Sequence, residues 1–447
     1  MPEVVVAADP ATAARGGLVG ALLRLGVPVA VARLGIMGMS IADTVVVGRY
    51  APGELAHQAL GWAPTGVLLV AAIGLLTGVQ VLAARVIGEG RPSAAWSVWR
   101  RGVSIAVVAG GVGAVAIASG AAWLLGAVGI EAELAERSGR VARVLAISIP
   151  FHLVYVASAF FLEAIRKPLA STVVIWVANL MNLALNLAWV PAHGAVGSAW
   201  ATVVARGFMA LAVVGWVLFS RDAVAFGVRE RVLAAPGARA LLRIGAAAAA
   251  SHAIEMAAFA AMTVIAGRLG SASVAAYQIV LNVLALVFMV ALGLGTATSV
   301  LVSEAIGRGD LPAARRAGWA GLGLNTGFMA LAGAVLLLLA GPIAHAYTTD
   351  SAIAAVVVAS AAIAAIVLAP DGGQVVMAQA LRARGDNWFP TGSHVLAYAL
   401  VMPALGWWLA EARGGGVPGL LQAILLASLL SCAVLAARFG ALARADR

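Results

Sequence analysis

LLTGVQVLAARVIGEGRPSAA, residues 75–95, is answered later in the chain by LGTATSVLVSEAIGRGDLPAA, residues 294–314. Thr77 and Thr296, Val81 and Val300, Gly88 and Gly307, and Gly90 and Gly309 each stand 219 positions apart. Upstream, GRYAPGELAHQ from Gly48 returns as GRLGSASVAAYQ from Gly267, one residue longer. Further on, Pro150 and Pro370 lie inside apolar runs, and LEAIRKP from Leu162 faces LRARGDN from Leu381. An offset kept to within one residue through a loop, a helix and another loop marks an internal repeat.

The medium around the repeat is lipid. Hydrophobic residues make up 63% of 447 positions, charged residues 11%, and mean hydropathy is +1.01. A bilayer core of roughly 30 Å takes about 20 apolar residues per helical crossing. Such runs are continuous rather than alternating, so they read as helices and not as strands of a barrel. The expected fold is all-α and integral to the membrane, with about twelve spans in two lobes of six. The first six fall at about 18–47, 60–83, 102–125, 141–163, 169–190 and 195–219. The second six fall at about 240–266, 273–305, 318–340, 353–381, 390–410 and 420–437. A shift of 219 carries span 1 onto span 7 in the same direction, so the repeats are parallel. The expected division is an N-lobe over 1–220, a charged cytoplasmic linker over 221–243, and a C-lobe over 244–447.

The net charge of +10 reads as topology rather than as a nucleic-acid surface. With the N-terminus inside, 21 of the 29 Lys and Arg fall in cytoplasmic segments and 6 in outer ones, with Arg33 and Arg206 left within spans. That asymmetry puts both termini of a multi-pass inner-membrane protein in the cytoplasm. No removable signal peptide is read in residues 1–16, and Cys432 alone excludes an intrachain disulfide.

A carboxylate at membrane depth costs roughly 2.5–3.5 kcal/mol on insertion scales, so each one asks for a reason. Three stand out: Asp43, Glu255 and Asp371. The plainer account is a structural pair with Arg33 or Arg206, or a place near an interface. Glu255 and Asp371, however, both belong to the second repeat, and their counterparts are Ile36 and a position near Phe151. An acid pair in one repeat alone suggests a cation site, which Gln278, Asn282, Gln374 and His252 would extend with neutral donors and acceptors. In the fifth span Asn179, Asn182 and Asn186 align along one side, either as interhelical glue or as a cavity lining. Trp62, Trp176 and Trp200 are candidates to line a cavity or to pack at the interface.

These pieces together resemble the multidrug and toxic compound extrusion (MATE) transporters, in their NorM-like bacterial branch. The resemblance rests on IADTVVVGR around Asp43, LMNLALNLAWV with Asn182 and Asn186, GAVGSAWATVVAR, AIEMAAFAAM around Glu255, and PDGGQVVMAQALRARGD around Asp371 and Gln374. It covers nearly the whole chain. It implies alternating access and exchange of protons or sodium for small, often cationic and lipophilic compounds. It further implies that Glu255 and Asp371, with Asp43, bind the coupling cation, and that Asn182 and Asn186 join Asp43 in an N-lobe polar cluster. Two positions depart from the pattern: Val367 stands where sodium-using relatives often carry tyrosine, and Tyr277 where the AAHQ segment has histidine. Val367 offers no oxygen to sodium, a hard cation that wants several oxygen ligands, so protons are favoured over sodium as the coupling ion.

No cofactor is expected, and no metal beyond sodium in the proton's place. A monomer in lipid is expected, with small molecules and no nucleic acid as partners. The rival reading is a lipid or lipid-linked oligosaccharide flippase, which would want an arginine-rich cavity where this chain offers Arg33 and Arg206. An enzyme is not expected, since no GxSxG elbow, helical HExxH or His/Cys metal spacing is present. No filter loop argues for a channel.

Overall fold

The computed structural model describes residues 17–220 and 235–445. Most of the expected linker, with Arg221, Arg229 and Arg231, lies outside them, as do Arg15 and Arg447.

Every long apolar run forms a helix, and no strand occurs among the described residues. The helices are α1 (Gly17–Tyr50), α2 (Leu55–Gly88), α3 (Pro92–Ala127), α4 (Ala132–Ala164), α5 (Pro168–Phe219) and α6 (Ala238–Arg268). They continue with α7 (Ser271–Gly307), α8 (Leu311–Leu338), the short α9 (Ala340–Tyr347), α10 (Ser351–Arg384), α11 (Trp388–Ala412) and α12 (Gly416–Ala445). Eleven are long and apolar enough to cross a bilayer. The twelfth expected span is hidden in α5, whose 52 residues would reach about 78 Å if straight. Gly194, at φ 56° and ψ −139°, breaks it into two arms, so the runs at 169–190 and 195–219 remain separate crossings. The Glu54 carboxylate accepts the freed Ala195 N–H at 2.8 Å, and a side chain at 194 would collide with it. Glycine is therefore required there twice over, for its positive φ and for its missing Cβ.

The repeat holds in backbone detail. Gly90 and Gly309 both have φ 73°, each just before a helix that begins with proline in its first turn. Arg166 and Gly385, again 219 apart, both close a helix with positive φ. The next amide in each case reaches back to an equivalent carbonyl, Lys167 N to Leu162 O at 2.7 Å and Asp386 N to Leu381 O at 3.0 Å. Within the first repeat α4 packs on α2, α3 and α5, and within the second α10 packs on α7, α8 and α12.

By compactness the described chain falls into two units. Unit 1 holds Val31–Ala249, and unit 2 holds the chain from Ala250 onward with the part of α1 up to Ala30. The cuts at 30 and 249 are themselves 219 apart, so each unit contains the opening turns of the other repeat's first helix. Glycine permits this. Within unit 2 the Gly26 carbonyl lies against Gly293, and within unit 1 Gly245, the counterpart of Gly26, lies against the Leu75 carbonyl; a Cβ at Gly293 or at Gly245 would collide with the backbone it faces.

Candidate functional site

Two polar clusters interrupt the apolar packing, one in each unit. In unit 1, the arm of α5 before Gly194 presents asparagines to the second half of α1. Asn186 Nδ2 donates to Asp43 Oδ1 at 2.7 Å and also to Asn182 Oδ1 at 3.1 Å. Thr202, from the arm after Gly194, donates to the other oxygen, Oδ2, at 2.8 Å. Asp43, Asn182, Asn186 and Thr202 are all wholly buried. Arg206, one turn beyond Thr202, interacts electrostatically with Asp43, donates to Ser148 Oγ at 2.9 Å and lies over the Trp62 ring at 5.0 Å. Asn179 stays a turn away, donating to the Gly35 carbonyl at 2.9 Å, while Trp176 donates to Val31 O at 3.3 Å. Trp200 is substantially exposed.

A second charge pair closes the same unit. Arg33 and Glu163 meet at 3.2 Å, with Glu163 only 2% exposed, and Gln80 donates to its other oxygen at 2.8 Å. Glu163 and Gln80 were not singled out from sequence. A glutamate one residue from a helix end passes for an interfacial charge, though Phe160, Phe161 and Leu162 just before it argue for burial.

In unit 2 four helices contribute a polar ladder, α12 through Ser428. Asp371 and Gln374 lie one turn apart on α10, Ser251 and Glu255 one turn apart on α6, and Thr391, His394 and Tyr398 at successive turns on α11. At one rung Asp371 Oδ1 accepts from Ser428 at 3.1 Å and from Tyr398 at 3.4 Å. At the next, Gln374 Nε2 donates to Glu255 Oε1 at 3.0 Å, with His394 Nδ1 at 3.6 Å from that oxygen and His252 Nδ1 at 3.6 Å from Oε2. At the third, Arg382 donates to Ser251 Oγ at 2.6 Å, and Ser251 shares a hydrogen bond with Thr391 at 3.1 Å. Glu255 and Asp371 interact with each other electrostatically, and among the described residues neither has an arginine or lysine within 4 Å. His394 is 3% exposed, with no hydrogen bond to either ring nitrogen among the described residues.

The structure thus brings Gln374 and His252 to Glu255. Gln278 instead contacts Thr263 at 3.5 Å, and Asn282 is exposed with no hydrogen bond to the carboxylates among the described residues. Val367 is buried and apolar. His394, Tyr398 and Ser428 were missed, although the i,i+4 pair of His394 and Tyr398 in an apolar span was a visible signal. α11 is also π-helical over Val395–Val401, a distortion that often accompanies functional positions.

Paired six-helix repeats, each with carboxylates buried or half-buried between apolar helices, define a polytopic transporter class. The MatE family model matches residues 28–188 and again 247–408, one copy per repeat. The chain belongs to the MatE family. It is similar to the probable multidrug resistance protein NorM of Caulobacter vibrioides, 40% identical over 95% of this chain and 92% of that one. The same-named protein of Burkholderia pseudomallei is 34% identical over 92% of this chain and 90% of its own length. Among solved structures, a MOP superfamily transporter from Pyrococcus furiosus has the same fold, with a TM-score of 0.88 and 97% of each chain covered at 18% identity.

Proposed function

We propose that this protein is a secondary active multidrug exporter of the bacterial inner membrane, exchanging protons for small cationic or lipophilic compounds by alternating access. The observation that carries the reading is the pair Glu255 and Asp371, two carboxylates at membrane depth with no guanidinium or ammonium in contact among the described residues. Ionised groups in that setting call for a mobile cation. Glu255 is ringed by nitrogens, from Gln374, His394 and His252, where a sodium site would want oxygens. The names of the relatives, multidrug resistance proteins, support the substrate class. Asp43 with Asn182 and Asn186 then forms a polar floor in the first repeat, its charge answered by Arg206.

Purified protein in sodium-free, acid-inside proteoliposomes should take up ethidium as protons leave. Transport that needs sodium and persists after the pH gradient is collapsed would overturn the proton assignment. The arginine asymmetry supports a cytoplasmic location for both termini. On that orientation Lys167, the single lysine, is labelled by an impermeant amine reagent in permeabilised cells and not in intact ones.

A further inference from the structure

Arg382 is a buried guanidinium, 5% exposed, in the last turn of α10. Its hydrogen-bonded partner is the neutral Ser251, no carboxylate lies within 4 Å of it among the described residues, and its Nε is buried without an acceptor. Ser251 stands one turn before Glu255 on α6, and Arg382 interacts electrostatically with Glu255. Arg384, two residues on, turns to the Phe439 ring instead. The other buried or half-buried acids near this end are matched in place, Glu304 with Arg308 at 3.7 Å and Asp386 with Arg438 at 2.8 Å.

The charge count of the ladder follows. Glu255 and Asp371 bring two carboxylates and Arg382 one guanidinium, with His252 and His394, each with a ring nitrogen 3.6 Å from a Glu255 oxygen, and Tyr398 and Cys432 as the other titratable groups around them. Counted on the two acids and the guanidinium, one negative charge is left over. Uncompensated charge is costly at this depth, so the cluster requires one monovalent cation and has no electrostatic room for a second.

We infer that Arg382 is a tethered counter-ion that holds the number of coupling cations bound at Glu255 and Asp371 to one. The inference rests on the reading that these two carboxylates bind the coupling cation. With one proton exchanged for one ethidium, no net charge crosses the membrane. Replacing the guanidinium by a neutral group leaves two negative charges, so two protons are exchanged for each dye and one charge moves.

The test is steady-state ethidium accumulation in proteoliposomes under a fixed pH gradient, with the potential clamped by valinomycin and set potassium ratios. Wild-type accumulation should not respond to potential. In Arg382→Gln it should change about tenfold for each tenfold potassium ratio, as expected for one net charge moved. Arg382→Lys should behave as wild type. A wild-type response to potential overturns the inference whatever the variants do, and so does a folded, active Arg382→Gln that ignores potential. If Arg382→Gln does not fold, the double variant Glu255→Gln with Arg382→Gln, which again leaves one negative charge, should restore monodisperse protein. Failure to restore it overturns the inference. Wild-type accumulation unaffected by any cation gradient would instead remove the cation-coupled reading on which the inference stands.

Discussion

Glu163 in unit 1 and Arg382 in unit 2 occupy the same place in the repeat, 219 residues apart and three before the positive-φ residue that ends each helix. What each is joined to differs in kind. Glu163 meets an opposite charge, Arg33, and a donor, Gln80, and Asp43 likewise has Arg206 nearby, so two acids face two guanidiniums. Arg382 meets a hydroxyl and interacts electrostatically with Glu255, while Asp371 beside Glu255 has no guanidinium within 4 Å among the described residues. One repeat has closed its electrostatics and the other has left them open by one unit. Duplicated folds can therefore separate a structural role from a working one while keeping the backbone the same.

The contrast predicts that acids in unit 2 are lost as function and acids in unit 1 as stability. The largest effect should come from Glu255→Gln and Asp371→Asn. Each leaves one acid balanced by Arg382, removes the need for a cation, and should abolish gradient-driven ethidium transport while detergent-solubilised protein stays folded. Loss of folded protein in either variant would make unit 2 a structural pair like its counterpart. Next, Glu163→Gln strands Arg33 in a buried setting and should cost about 3–5 kcal/mol, read as a fall in thermal stability. Unchanged stability with lost transport would reverse the comparison. Thr202→Ala removes a donor to a buried carboxylate and should cost about 1.5–3 kcal/mol, again in stability. Smallest is Tyr398→Phe, whose bond to Asp371 is long at 3.4 Å and backed by Ser428, so about 0.5–1.5 kcal/mol is expected and transport should survive.

Much of this was legible in sequence because the signals were periodic. The repeat showed in Gly90 and Gly309, whose shared φ explains why glycine was kept at both. The spacing of Asn182 and Asn186 put them on one helix face, since residues four apart share one, and the family resemblance grouped them with Asp43, which Asn186 contacts. Spacing does not say which way a face turns, and Asn282 illustrates this, sharing a face with Gln278 while lying exposed. Arg382 was hidden for another reason. An arginine at the end of a span counts toward the positive-inside asymmetry, and nothing local shows that this one folds back against Ser251. His394 and Tyr398 stand four apart and so share a face, but nothing in that spacing says that the face turns toward Glu255 and Asp371.

The close seat of Gly26 against Gly293 also bears on how the chain is made. The opening turns of α1 leave the ribosome first, yet the helix they pack against in unit 2 is encoded 267 residues later. At synthesis rates of about 5–20 residues per second, that interval lasts on the order of tens of seconds. During it the first half of α1 sits in lipid without its partner, and its chaperone is the bilayer itself. A gene cut between the two repeats would therefore yield pieces that each lack a packing surface until the other is inserted.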